Sequence, residues 1–149
     1  MLIFRGGSAA SDFRLQQLHQ SIQAIAPEIK ACEAYNLYLV EKSGVLPSEH
    51  IGLLRELLSV EHVCAVTDSL TDQLMVCPRV GTISPWSSKA TDIAQQCGLA
   101  QAGRIERAIL YRLTGWSRLS TAQAEQVLAL LHDRMTQTVM TAFDQLQPL

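Results

Sequence analysis

The run Pro78–Leu99, PRVGTISPWSSKATDIAQQCGL, sets out a complete strand-to-helix unit in 22 residues. Just upstream, Leu74–Cys77 reads as an apolar strand, and Gly81 supplies the backbone freedom for a tight exit from it. Ser84 stands where an N-cap belongs. Pro85 takes the first helical position, where a missing N–H costs nothing. Trp86, Ala90, Ile93, Ala94 and Cys97 then recur at helical spacing and predict one buried face. Gly98 follows the last of them, with Leu99 beyond it, as a glycine C-cap and its hydrophobic contact require.

Working outward, the same order of elements occurs twice, at an offset of 73 to 74. Leu2–Arg5 with Gly7 answers Val76–Arg79 with Gly81, and Ser11 and Phe13 answer Ser84 and Trp86. Tyr38 answers Tyr111, and Leu46, Leu57 and Leu58 answer Leu119, Leu130 and Leu131. In the first half, Leu2–Arg5 is a short strand. Ser11 or Asp12 then caps a helix with the stripe Leu15, Leu18, Ile22 and Ile25, stopped by Pro27. Glu33–Glu41 is a strand covered in part on both faces. Gly44 and Pro47 lead into a helix carrying Ile51, Leu54 and Leu58, with Leu53 and Leu57 beside them.

The second half runs through Ile105–Leu113, a strand with Ile105, Ile109, Tyr111 and Leu113 on one face and Arg107 intruding there. Gly115 breaks it and Ser120 caps a last helix expected over Thr121–Leu146, with Val127, Leu128, Leu131, Met135, Val139 and Phe143 inward. Between the halves, residues 60–72 form a connector with an edge strand at Val63–Val66 and the turn Thr67-Asp68-Ser69. Neither half can bury its own core securely. Two strand-helix-strand-helix repeats, over 1–59 and 73–146, joined into one mainly antiparallel sheet with helices on one face, solve that problem. The expected class is α+β, in a single domain.

Composition narrows the functions. The net charge of −2, with no block of like charges, argues against non-specific nucleic-acid binding. The apolar start Met1–Phe4 stops at Arg5-Gly6, too short for a signal peptide, and no stretch has the length of a membrane helix. Cys32, Cys64, Cys77 and Cys97 contain no C-x-x-C pair, and their apolar or small neighbours suggest reduced, packed thiols in a cytosolic protein. No cysteine has the glycine-flanked elbow of a catalytic nucleophile, and there is no phosphate-binding glycine loop with paired carboxylates. His19, His50, His62 and His132 are scattered without ligand spacing. The expectation is therefore no catalytic residue and no metal site in this segment.

The stretch also carries a resemblance. Arg79, the run Gly81–Ala94 and then Cys97-Gly98-Leu99 resemble the signature of the N-terminal domain of the phosphoribosylformylglycinamidine synthase (formylglycinamide ribonucleotide amidotransferase) family, in its large single-chain form. Weaker likeness extends over Leu2–Gly6, Arg104–Tyr111 and His132–Met135. The resemblance implies a PurS-like tandem, equivalent to a fused dimer of a small subunit, and a cytoplasmic role in purine biosynthesis. It also implies a parent ligase that uses glutamine, ATP and magnesium. Its synthetase and glutaminase activities belong to domains lying after this one, which would be this segment's partners, with no nucleic acid or membrane among them.

Thr82–Lys89 offers hydroxyls, a lysine and the open N–H groups of a helix start, which suit either a phosphate or carboxylate contact or a capped helix presenting a docking surface. The residues concerned are Arg79, Thr82, Ser84, Ser87, Ser88 and Lys89, and docking is the preferred reading. The expected geometry turns Trp86 inward and Ser87, Ser88 and Lys89 outward. Arg79, Arg104 and Arg107 suit either the steering of an anionic substrate or ion pairs with Glu106 or Asp92, and ion pairing is the preferred reading. Two other functions stay open: a regulatory module binding a small molecule between the halves, and a free-standing subunit. An isolated fragment with its docking face uncovered would be expected to self-associate.

Overall fold

The computed structural model describes residues 2–42, 44, 46–60, 62–64, 72–99 and 102–141. The elements in chain order are β1 (Leu2–Ser8), α1 (Asp12–Ile25), β2 (Ala31–Lys42), α2 (Ser48–Leu58), β3 (His62–Cys64), β4 (Gln73–Pro78), α3 (Pro85–Gln96), β5 (Ala102–Thr114), α4 (Thr121–Leu131) and β6 (Gln137–Met140). A single 3-10 turn, Trp116–Arg118, precedes α4.

Among the described helices, α1, α3 and α4 start where the sequence supplies a serine cap, whereas α2 follows Pro47, which makes no side-chain cap bond. The Ser11 hydroxyl accepts from the Arg14 N–H, and Ser120 forms a reciprocal capping box with Gln123. Gly115, at φ 100°, makes the turn out of β5. A Cβ at this glycine would run into the carbonyl of Glu28, so both the dihedral and the close approach require glycine.

The six strands form one antiparallel sheet in the order β3-β1-β2-β5-β4-β6. This order reads the same outward from the central β2–β5 pair. Each half contributes a long inner strand, a middle strand and a short edge strand, and the strand-helix-strand-helix succession occurs twice.

The four described helices pack on one face. Phe4, Val40 and Ile105 meet Leu54 of α2 and Ala94 of α3 in one core. Leu74, Val76 and Leu113 meet Ile22 of α1 with Val127 and Leu131 of α4 in another. The alternate strand residues Ile3, Leu37, Leu39, Met75, Cys77, Ala108 and Leu110 form a third cluster on the opposite face.

The C-terminal helix is shorter than its apolar pattern suggests. It ends at Leu131, and a turn leads to β6, an edge strand paired with β4 through Met75↔Met140 and Cys77↔Thr138. The physical cause lies in residues 133–139. Asp133 accepts the N–H of Met135 on its side chain and those of Thr136 and Gln137 on its carbonyl, closing a turn. Thr136, Thr138 and Val139 are β-branched and favour extended backbone. Met135 is consequently 79% exposed instead of inward, whereas Val139 reaches the core from the strand. Phe143 lies outside the described residues. The connector's edge strand exists as β3, pairing with β1, and the Thr67–Ser69 turn lies outside the described residues.

Candidate functional site

The signature stretch folds as its punctuation indicates. The Ser84 hydroxyl accepts from the Ser87 N–H at 3.0 Å with Pro85 in the first turn, and the C-terminal N–H groups of Gly98 and Leu99 return to Gln95 and Ala94. The helix is rotated relative to its apolar pattern. Ser87 is 0% exposed and Ala94 1%, with Ala90 and Thr91 half-buried between them, whereas Ile93 is 43% exposed and Cys97 is on the surface. Hydrogen bonding explains the rotation, because the buried polar side chains answer an unpaired strand edge.

That edge belongs to β5. Its pairing with β4 ends at Val76↔Ile109, after which β4 continues beside β6 and this edge of β5 has no strand partner among the described residues. Side chains take the missing strand's place. The Ile105 N–H donates to Thr91 Oγ1 at 3.0 Å, and Ser87 Oγ donates to the Ile105 carbonyl at 2.5 Å. The Arg107 N–H donates to Glu106 Oε1 at 2.9 Å. Buried backbone groups are thereby satisfied without a ladder.

Glu106, 3% exposed, is the hub of this arrangement. Its Oε1 also accepts from Ser84 Oγ at 2.8 Å, and its Oε2 accepts from Arg104 Nη2 at 2.7 Å. Arg104 donates further to the Thr82 carbonyl at 2.7 Å and to Ser87 Oγ at 3.3 Å. Burial alone would raise the Glu106 carboxyl pKa. The Arg107 N–H, the Arg104 guanidinium and the Ser84 hydroxyl outweigh burial and hold it below its ordinary value.

Of the residues singled out from the sequence, Thr82, Ser84 and Ser87 are brought together through Arg104 and Glu106. The expected Arg104–Glu106 pair forms. Thr82 Oγ1 donates to the Arg79 carbonyl, closing the turn into α3, while Arg79, Ser88 and Lys89 stay on the surface. Ser87 is buried rather than outward. The expectation of packed thiols holds for Cys77 and in part for Cys32, fails for the exposed Cys97, and for Cys64 falls on a side chain outside the description.

Trp86 stacks on Tyr38, with ring centroids 5.8 Å apart, and the Arg107 guanidinium lies 5.0 Å from the indole centroid. Depressions open on both sides of the indole. A groove of about 350 Å³ runs between α2 and α3 and is lined by Leu54, Leu57, Lys89, Ala90 and Ile93. A cleft of about 380 Å³ lies where β4 leaves β5, lined by Ser84, Glu106, Arg107, Thr136 and Gln137.

The central role of Glu106 and the contact of Tyr38 with Trp86 were not anticipated. The available signal was strand parity: Glu106 alternates with Ala108 and Leu110, which places a carboxylate in an apolar row and calls for a cationic partner. His19 and His132 pair with the carbonyls of Ile29 and Leu128. Among the described residues, no three His, Cys, Asp or Glu side chains group as metal ligands, and no helix is long and apolar enough to cross a membrane. The family model described as Formylglycinamide ribonucleotide amidotransferase N-terminal matches residues 35–149, from β2 through the whole signature stretch.

Proposed function

Since this chain belongs to the formylglycinamide ribonucleotide amidotransferase N-terminal family, we propose that it is a non-catalytic scaffold domain of that amidotransferase, acting in purine biosynthesis in the cytoplasm. The parent reaction in this reading joins ammonia from glutamine to formylglycinamide ribonucleotide with ATP and magnesium, in the synthetase and glutaminase domains. The present domain holds those partners in register, so that ammonia passes between them without loss to water.

The observation that carries this reading is how the signature stretch uses its polar groups. Ser84, Ser87, Thr91, Arg104 and Glu106 are committed to one another and to the β5 backbone. Glu106 is the one fully buried carboxylate among the described residues, and a general base would need a free oxygen where this one is already engaged at both. The outward side of the same helix carries Ser88, Lys89 and Ile93, a surface suited to contact with another domain.

Two measurements test the proposal. The purified chain is expected to turn over neither glutamine nor ATP above a buffer blank. An amidotransferase lacking this domain is expected to lose coupled amide transfer while retaining glutamine hydrolysis. Full coupled transfer without the domain would refute the scaffold role.

A further inference from the structure

Resting on the scaffold reading above, we propose that the groove between α2 and α3 seats an amphipathic helix from another domain of the amidotransferase, which inserts aliphatic side chains and sets a carboxylate against Lys89. The fold holds a filled form of the same arrangement. Under the strand order α1 is equivalent to α3 and α2 to α4, so the pair α1 and α4, one helix from each half, corresponds to the pair α3 and α2. Between α1 and α4 the space is closed by Ile22 and Ile25 against Val127 and Leu128, and Gln123 Nε2 donates to the Ile25 carbonyl at 3.3 Å.

Between α3 and α2 the corresponding space stays open. Apart from Trp86, the residues that α3 turns inward are small: Ser87, Ala90, Thr91 and Ala94, of which Ala94 joins Leu54 in the core beneath the groove and none fills the groove itself. The result is the groove of about 350 Å³, with Ile93 and Leu57 on its two banks at 43% and 41% exposure. Bulk missing from α3 is aliphatic bulk that a partner can supply, and a helix laid between two helices presents it at i, i+3 and i+4.

Charge fixes the rest of the partner's chemistry. Among the described residues, Lys89 is the one charged side chain lining the groove, and it forms no ion pair with any of them. A cation on the rim of an apolar groove favours a partner bearing an acidic residue at the edge of its apolar stripe.

The test uses the amidotransferase expressed in its own cells, with Leu57 or Ile93 replaced by a benzophenone-bearing residue and crosslinked peptides mapped by mass spectrometry. Both positions are expected to mark one helix of the synthetase or glutaminase domain that carries a carboxylate beside aliphatic residues. Lys89→Glu should cut that crosslink about tenfold, with an unchanged melting temperature, and carboxylate→Lys at the mapped position should restore it. Crosslinks to a second copy of this chain, to a segment without a carboxylate, or to nothing would overturn the proposal, as would indifference to Lys89→Glu. The domain-deletion experiment separates the two readings. Lost transfer on deletion with an unmarked groove sinks the groove alone, whereas intact transfer sinks the scaffold itself.

Discussion

The Ser84 hydroxyl donates to the Glu106 carboxylate at 2.8 Å, joining the start of α3 to the β5 edge across 22 residues of chain. Removing either end leaves buried polar groups without partners. Glu106→Ala is expected to cost about 2–4 kcal/mol, because it removes the ion-pair partner of Arg104 and the acceptors of the Ser84 hydroxyl and the Arg107 N–H together. Ser84→Ala loses a cap and one bond to the carboxylate, for about 1–2 kcal/mol. Urea unfolding of both variants measures the difference, and equal small losses would show the carboxylate to be peripheral.

Acid should weaken the fold through the same group. The folded carboxyl of Glu106 lies below its ordinary value of 4.5, so its contribution is complete above that value and disappears as pH falls through the folded pKa. Asp72 adds in the same direction. The Ser117 N–H, ahead of the Gly115 N–H, holds its carboxyl below the ordinary 3.8. The stability gap between wild type and Glu106→Gln should therefore shrink as pH falls below the ordinary value of 4.5. A gap that is constant with pH would contradict the depressed value.

Trp86 and Lys89, three residues apart, should behave in opposite ways. Trp86→Ala removes the stack on Tyr38 and the cation contact with Arg107 from a half-buried site, and is expected to cost about 2–3 kcal/mol, less than a fully buried tryptophan. Lys89→Glu on the exposed side should change stability by no more than ~0.5 kcal/mol yet impair amide transfer in the complete enzyme. Melting temperature and turnover, measured on both variants, distinguish the two roles.

Thiol reactivity reports the rotation of α3. Burial pushes the Cys77 thiol up to about 12 and the Cys32 thiol to about 11, with Glu106 and Glu33 adding in each case, whereas Cys97 is exposed. Alkylation of the native protein near pH 8 should modify Cys97 and spare Cys32 and Cys77 until denaturant is added. Protection of Cys97 would return the helix to its apolar register.

Two glycines should respond to alanine with opposite sign. Gly52→Ala in α2 meets no atom within 4 Å and should stabilise by up to ~1 kcal/mol. Gly115→Ala must hold a left-handed φ against the Glu28 carbonyl and should destabilise by at least ~2 kcal/mol. Thermal unfolding of the pair checks both signs.

Punctuation was the most legible part of the chain. Ser11, Ser84, Ser120, Gly98 and Gly115 act through local backbone chemistry and sit where their residue types indicate. Apolar periodicity was a poorer guide wherever hydrogen bonding decides burial. Ser87 and Thr91 face the sheet because β5 has no strand partner there among the described residues, a fact of tertiary pairing invisible in helix spacing. The same counting carried α4 from Thr121 to Leu146, across Thr138 and Val139, β-branched residues that prefer the strand they form beside β4. The repeat is carried by the order of elements rather than by a fixed offset. Phe4 pairs with Tyr38, but Leu74 rather than Pro78 pairs with Tyr111, four residues from the place a constant spacing gives.

The long central pairing of β2 with β5 has a consequence during synthesis. Partners such as Asn36 and Ile109 are some seventy residues apart, so β2 leaves the ribosome roughly 4 to 14 seconds before its neighbour is made. For that interval the nascent first half carries an unoccupied strand edge with Leu37, Leu39 and Val40 beside it. Another nascent chain at the same stage presents an identical edge in a form that can pair with it antiparallel. Translation speed between Lys42 and Thr114 thus competes with encounter between chains on one polysome, and slowing it favours intermolecular strand exchange over the intramolecular seam.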